Sequence, residues 1–114
     1  MSLEIYFKPI DSIEFSKNSI GSFVDSHVNS FPEWESSDIV FLTIHENRGS
    51  SSEKNNEIDH YSIRNKLYNF KWEGSLTISD LGILDAGSSL KDTYAALKEI
   101  TFEIQKKSKL LVFL

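Results

Sequence analysis

Two short apolar runs constrain what this chain can fold into. Asp38 to Ile44 reads DIVFLTI and Leu110 to Leu114 reads LLVFL. Neither alternates with polar residues, as a strand with one wet face would. Unbroken β-branched and aromatic runs bounded by polar residues are typical of strands buried on both faces of a parallel sheet. Parallel neighbours need a long crossover, usually a helix. The stretch between the runs supplies such material. Glu57 to Phe70 reads as a helix, with Ile63, Leu67 and Phe70 at i, i+4 and i+7 on one face. Leu76 to Leu84, LTISDLGIL, reads as a second strand interrupted by Gly82. Ser88 to Lys107 carries the clearest helical pattern, with Leu90, Tyr94, Leu97, Thr101 and Ile104 along one side. Ser89 and Asp92 resemble a capping box at its start, and Lys106 and Lys107 suit the negative end of its dipole.

The order strand, loop, helix, strand, helix, strand over residues 38–114 predicts an α/β fold. The last run is expected inside the sheet. Residues 1–37 are harder to assign. Leu3, Ile5 and Phe7 alternate with polar or amphipathic residues until Pro9, which suits a short edge strand. Ser19 to His27 reads as a helical turn, with Ile20, Phe23 and Val24 on one side. Pro32 disfavours helix at Phe31. A length of 114 residues suits one domain, 1–114, rather than two.

Charge and composition remove several function classes. Seventeen acidic residues against twelve Lys and Arg leave a net charge of −5. Such a chain repels phosphate backbones, and no nucleic-acid partner is expected. With no cysteine there is no thiolate metal site and no cysteine nucleophile, and a reducing compartment fits. The N-terminus lacks the charge and apolar core of a signal peptide, and no apolar run approaches membrane-spanning length. The expectation is a soluble, cytoplasmic protein without a membrane partner.

Chemical motifs are sparse. His27, His45 and His60 show no helical metal-pair spacing, and there is no phosphate-cradling glycine loop. One place stands out. His45, Glu46, Asn47, Arg48 and Gly49 follow the carboxyl end of the first run, where open parallel sheets bind ligands. They form a candidate substrate-facing loop; a plain solvated loop is the competing reading. Asp85, in LDAG, reads as a turn residue or a metal-binding carboxylate. Asp80 suits a backbone-bonding or sheet-end role. Tyr61, Tyr68 and Trp72, interleaved with Arg64, Lys66 and Lys71, suit an amphipathic helix better than a base-stacking surface.

From Asp38 onward the chain resembles the ureohydrolases, the arginase, agmatinase and formimidoylglutamase family. The pieces are DIVFLTI, the loop with Arg48-Gly49, the helix segment SIRNKLY at 62–68, ISDLG at 78–82, and KDTYAALKEITFEIQKK followed by KLLVFL. The resemblance covers about two thirds of the sequence. The details of the helices look closest to formimidoylglutamase-like members. It implies a three-layer αβα fold with a mainly parallel sheet, of which this chain would be an incomplete N-terminal portion. It also implies a metal-dependent hydrolase of guanidino or formimino C–N bonds, using two manganese ions. The family's first metal motif, Gly-Gly-Asp-His, follows the strand equivalent to Leu110–Leu114, and the later Asp-rich motifs do not occur here. The implied reading is a portion with no catalytic residue, no metal ligand and no cofactor of its own, inactive alone. Arg64 would anchor its helix. The implied partners are the remainder of a longer protein and a second copy of the chain. Two alternatives remain: a complete, non-catalytic protein-binding α/β module, or a ureohydrolase-like protein that has lost its metal site.

Overall fold

The computed structural model describes residues 3–45, 60–85, 90–107 and 109–114. Five strands form one sheet: β1 (Phe7–Lys8), β2 (Val24–Ser26), β3 (Ile39–His45), β4 (Ile78–Asp85) and β5 (Leu110–Phe113). Two α-helices are described, α1 (His60–Tyr68) between β3 and β4, and α2 (Leu90–Lys106) between β4 and β5. The spatial order is β1-β4-β3-β5, with β2 also on β4. β3 pairs parallel with both β4 and β5, as its apolar run predicts.

The sheet is mixed rather than mainly parallel, and the reason lies in the N-terminal residues. β1 pairs antiparallel with β4 through Phe7–Leu84 and Lys8–Ile83, while β2 pairs parallel with it through Val24–Ile78 to Ser26–Asp80. Two short strands therefore lie end to end along one side of β4. The helical turn expected over 19–27 is only a 3₁₀ turn at Ile20–Phe23, running directly into β2. Likewise a 3₁₀ turn at Glu4–Tyr6 replaces most of the expected first strand. This segment is integral to the core, since Leu3, Phe7 and Trp34 are buried in it.

β5 is also a correction. Among the described residues it occupies the edge of the sheet, not its interior, because only β3 pairs with it. Leu110 is 60% exposed and Phe113 50% exposed.

Side chains on β3 alternate between the two faces. Val40 and Leu42 pack with Leu81, Leu84, Ile100 and Ile104 in the larger cluster, which brings in α2. Each such fully buried side chain contributes ~1.5–3 kcal/mol. Thr43 points the other way and meets α1. A smaller cluster of Ile10, Ile13 and Tyr68, flanked by Val24, Val28 and Ile83, sits with α1.

The faces of both helices differ from expectation. α2 buries Thr93, Ile100 and Ile104, with Leu97 half-buried, whereas Tyr94 is exposed. The buried stripe thus keeps Leu97 and Ile104 from the expected one and takes Thr93 and Ile100 in place of Tyr94 and Thr101. On α1 the buried residues are Arg64 and Tyr68, one turn apart, while Ile63 and Phe70 are exposed. The facing sheet surface is polar here, so a polar pair satisfies it better than an apolar stripe. Residues 57–59 and 88–89, included in the expected helix starts, lie outside the described residues.

A bulge interrupts β4. Phe41 faces Asp80, but Thr43 faces Ile83, so β4 carries one extra residue between them. Gly82 sits there with φ +99°, and a Cβ on it would lie 2.3 Å from the Lys8 carbonyl oxygen. This is why a glycine interrupts an otherwise apolar strand. The bulge sends Ile83 to the α1-side cluster and Leu84 to the α2-side cluster. Gly82→Ala is expected to destabilise the protein by at least ~1–2 kcal/mol, the usual cost of placing a Cβ in left-handed backbone. Urea unfolding would measure it, and an unchanged midpoint would contradict the bulge geometry.

Candidate functional site

The carboxyl ends of β3, β4 and β5 mark where a ligand site is expected in this topology. The chain leaves β3 toward β4 on one side and, after β4, crosses back to β5 on the other. A topological switch point therefore lies between β3 and β5. His45 is the last residue of β3, half-buried, and pairs in register with Asp85, the last residue of β4. Glu46, Asn47, Arg48 and Gly49 lie outside the described residues, as do residues 86–89 of the expected turn after Asp85. Among the candidate loop residues, the structure therefore positions His45 at the switch point.

The densest polar chemistry lies beneath this edge, between α1 and the sheet. Arg64 and Asp80 are both fully buried. Arg64 Nε donates to Asp80 Oδ2 at 2.7 Å and Nη2 donates to Oδ1 at 2.8 Å. The pair is bidentate, the strongest geometry for a guanidinium and a carboxylate. Nη1 donates to Thr43 Oγ1 at 2.8 Å, and Nη2 also donates to the Gly82 carbonyl at 3.2 Å.

Asp80 is saturated as an acceptor. Its Oδ1 also takes the Gly82 N–H at 3.1 Å, across the bulge. Its Oδ2 also takes the Tyr68 hydroxyl at 2.5 Å. A carboxylate only accepts, so the Tyr68 proton points at Asp80. Ser26, 2.9 Å from the same hydroxyl, must then be the donor to Tyr68. Burial, followed by the negative charge of Asp80 and its hydrogen bond, raises the Tyr68 pKa far above the usual phenol range. Ser26 and the Arg64 charge oppose that shift only in part.

His27 completes the arrangement on the far side of the bulge. Its ring nitrogen Nδ1 lies 2.8 Å from the Leu81 carbonyl, and its backbone N–H donates to the Asp80 carbonyl at 3.0 Å. A carbonyl cannot donate, so Nδ1 carries a proton. The ring edge packs on Phe31, with centroids 5.1 Å apart.

This network is built for holding rather than for catalysis. Both Asp80 oxygens are occupied, and no solvent reaches the pair. It binds α1, β2, β3 and β4 to one another. The expected anchoring role of Arg64 and backbone-bonding role of Asp80 are both present in it. Neither Tyr68 nor Arg64 belongs to an exposed stacking surface. In the sequence Asp80 stands out as the one charged residue between Ile78 and Leu84, whereas Arg64, set among Ser62, Asn65 and Lys66, carries no local mark of burial.

The described residues do not fit a manganese pair. No group of three or more His, Cys, Asp or Glu side chains among them could hold a metal ion. No chemical step through a metal follows from this chain's described side chains. No described helix is long and apolar enough to cross a membrane. Comparison with protein-family models, curated proteins and solved structures finds no match.

Two measurements address the network. Arg64→Ala leaves Asp80 as an uncompensated buried charge and should cost about 3–5 kcal/mol. The paired change Arg64→Met with Asp80→Leu removes both charges and should cost clearly less than the sum of the single changes. Additive losses in urea unfolding would show that the two side chains do not act as a pair. The second measurement is pH. The folded state holds the Tyr68 proton more tightly than the unfolded chain, whose phenols titrate near pH ~10. This contribution is complete below that pH and is lost as pH rises above it. Wild type should therefore lose stability faster than Tyr68→Phe between about pH 9 and 11. Parallel stability curves would exclude a buried, Asp80-bound phenol.

Proposed function

We propose that this chain is the N-terminal α/β portion of an arginase- or formimidoylglutamase-like hydrolase of guanidino or formimino C–N bonds. In that reading the sheet is the start of a three-layer αβα fold. The observation that supports it best is the strand order β4-β3-β5, in which β3 has parallel neighbours on both sides. Alternate β3 residues meet α1 through Thr43 and α2 through the Val40–Leu42 cluster, which suits helices on both faces. His45 ends β3 beside the switch point and, with Glu46, Asn47, Arg48 and Gly49, would form a rim or substrate-facing loop. The manganese pair and the hydroxide it generates would be supplied with ligands from outside this sequence, so the chain alone is inactive. A non-catalytic protein-binding module is the second reading, favoured by the exposed Tyr94 and Phe102 on α2.

The purified chain, loaded with manganese and dialysed, should retain no stoichiometric metal. It should release neither urea from guanidino substrates nor formamide from formimino substrates. Tight metal at one or two equivalents, or sustained turnover, would overturn the proposal. The codons following Leu114 in the source gene separate the two readings: Gly-Gly-Asp-His supports the hydrolase relative, and a stop codon supports the binding module.

A further inference from the structure

One stretch of backbone passes the C-terminal end of α1 with little of its own to hold it. Residues 10–18 form neither strand nor helix, and of their side chains Ile10 and Ile13 alone are buried. The two ends are fixed by backbone. Ile10 N–H donates to the His27 carbonyl at 2.8 Å. At the other end Ser19 bridges Lys71, with Ile20 N–H on the Phe70 carbonyl at 2.9 Å and Trp72 N–H on the Asn18 carbonyl at 2.9 Å. Asn18 makes the turn there with φ 59°, a conformation that asparagine tolerates better than most residues.

Between those ends one side chain grips the backbone. Asn69, just past α1, accepts the Ser16 N–H on Oδ1 at 3.0 Å and donates from Nδ2 to the Glu14 carbonyl at 3.0 Å. A carboxamide has one acceptor side and one donor side, so it pairs here as a peptide group of a neighbouring strand would. Nδ2 also donates to the Asn65 carbonyl at 2.8 Å, one turn back on α1. Two carbonyls on the same atom require the amide nitrogen at that position. Ser19 Oγ adds a bond to the Ser16 carbonyl at 2.5 Å.

Beneath this segment lies the buried network. Ile10 and Ile13 share a cluster with Tyr68, whose hydroxyl is bound to Asp80. Segments with few buried apolar side chains and exposed backbone open at lower free energy than a core. β1 and β2 pair with β4 on either side of this segment in sequence, so it can lift away without breaking the sheet. We propose that residues 10–18 are a strap that opens as one unit while the sheet stays folded, with Asn69 as its latch, and that this opening admits solvent to Tyr68 and the Arg64–Asp80 pair. The strap swings between Pro9 and the Asn18 turn. The proposal uses no feature of the hydrolase reading.

Native-state hydrogen exchange in a urea series tests this. The Ile10 and Ser16 amides lie toward opposite ends of the strap on unrelated acceptors, and the Tyr68 hydroxyl proton lies beneath it. All three should follow one exchange curve. Its urea dependence should be shallower than that of the Val40 and Leu42 amides, because strap opening exposes less surface than unfolding. Asn69→Ala should speed all three by one common factor, on the order of tenfold for the two strap bonds lost. The Ile10 amide is the telling reporter, since its acceptor is His27 and not Asn69. Ile13→Ala removes a buried side chain, leaves the strap's hydrogen bonds in place, and should also speed all three together. If Asn69→Ala speeds Ser16 alone, the strap does not move as a unit and the proposal fails. Exchange of all three only with the steep urea dependence of Val40 and Leu42 overturns it equally. So does a Tyr68 hydroxyl proton that keeps its wild-type rate in both variants.

Discussion

The bidentate contact between Arg64 and Asp80 is the constraint on which the rest of the structure turns. Two full charges are out of water, and such a pair is tolerable only when every remaining lone pair and proton is directed to a partner. The chain provides those partners from four places: Thr43 on β3, Tyr68 on α1, Ser26 behind Tyr68, and the Gly82 peptide on β4. Each demand fixes something else. Arg64 and Tyr68 must share the inner face of α1. Thr43 must interrupt the apolar run of β3. The Gly82 peptide reaches Asp80 because β4 bulges at that point, and the bulge in turn requires a residue without a side chain.

The same bulge connects the N-terminal segment to the core. It marks where β2 ends and β1 takes over along β4, and His27 holds the buried Leu81 carbonyl at the join. What looks like a weak, patternless stretch in the first 37 residues is therefore shaped by its contact with one irregular strand. Its elements are too short to carry periodicity of their own. They pair because β4 presents a ready ladder, not because the local sequence prefers strand.

His45 and the buried network are related by position. Arg64 reaches Thr43, two residues before His45, from beneath the sheet edge on which a switch-point ligand would rest. A rigid base under a variable edge is the usual division of labour in α/β folds, where loops carry chemistry and the scaffold positions them. The ureohydrolase reading is consistent with this division, because it assigns Arg64 to anchoring and leaves reacting groups to loops and later strands.

Hydrophobic runs by themselves determined the existence of β3, β4 and β5, the helices between them and the parallel pairing of β3. Those features depend on local burial pattern and on the length of chain a parallel crossover needs. Local sequence also marked Gly82 as an interruption, while the expectation that Arg64 anchors its helix came from the resemblance and not from a local pattern. Only the tertiary structure decided which faces of the helices are buried, because Ile63 and Phe70 could not compete for a surface already claimed by Asp80 and Thr43. It alone placed β5 at an edge of the described sheet. A run of apolar residues states that a strand can be buried on both faces, but whether a neighbour lies alongside depends on chain-to-chain pairing that no local pattern encodes.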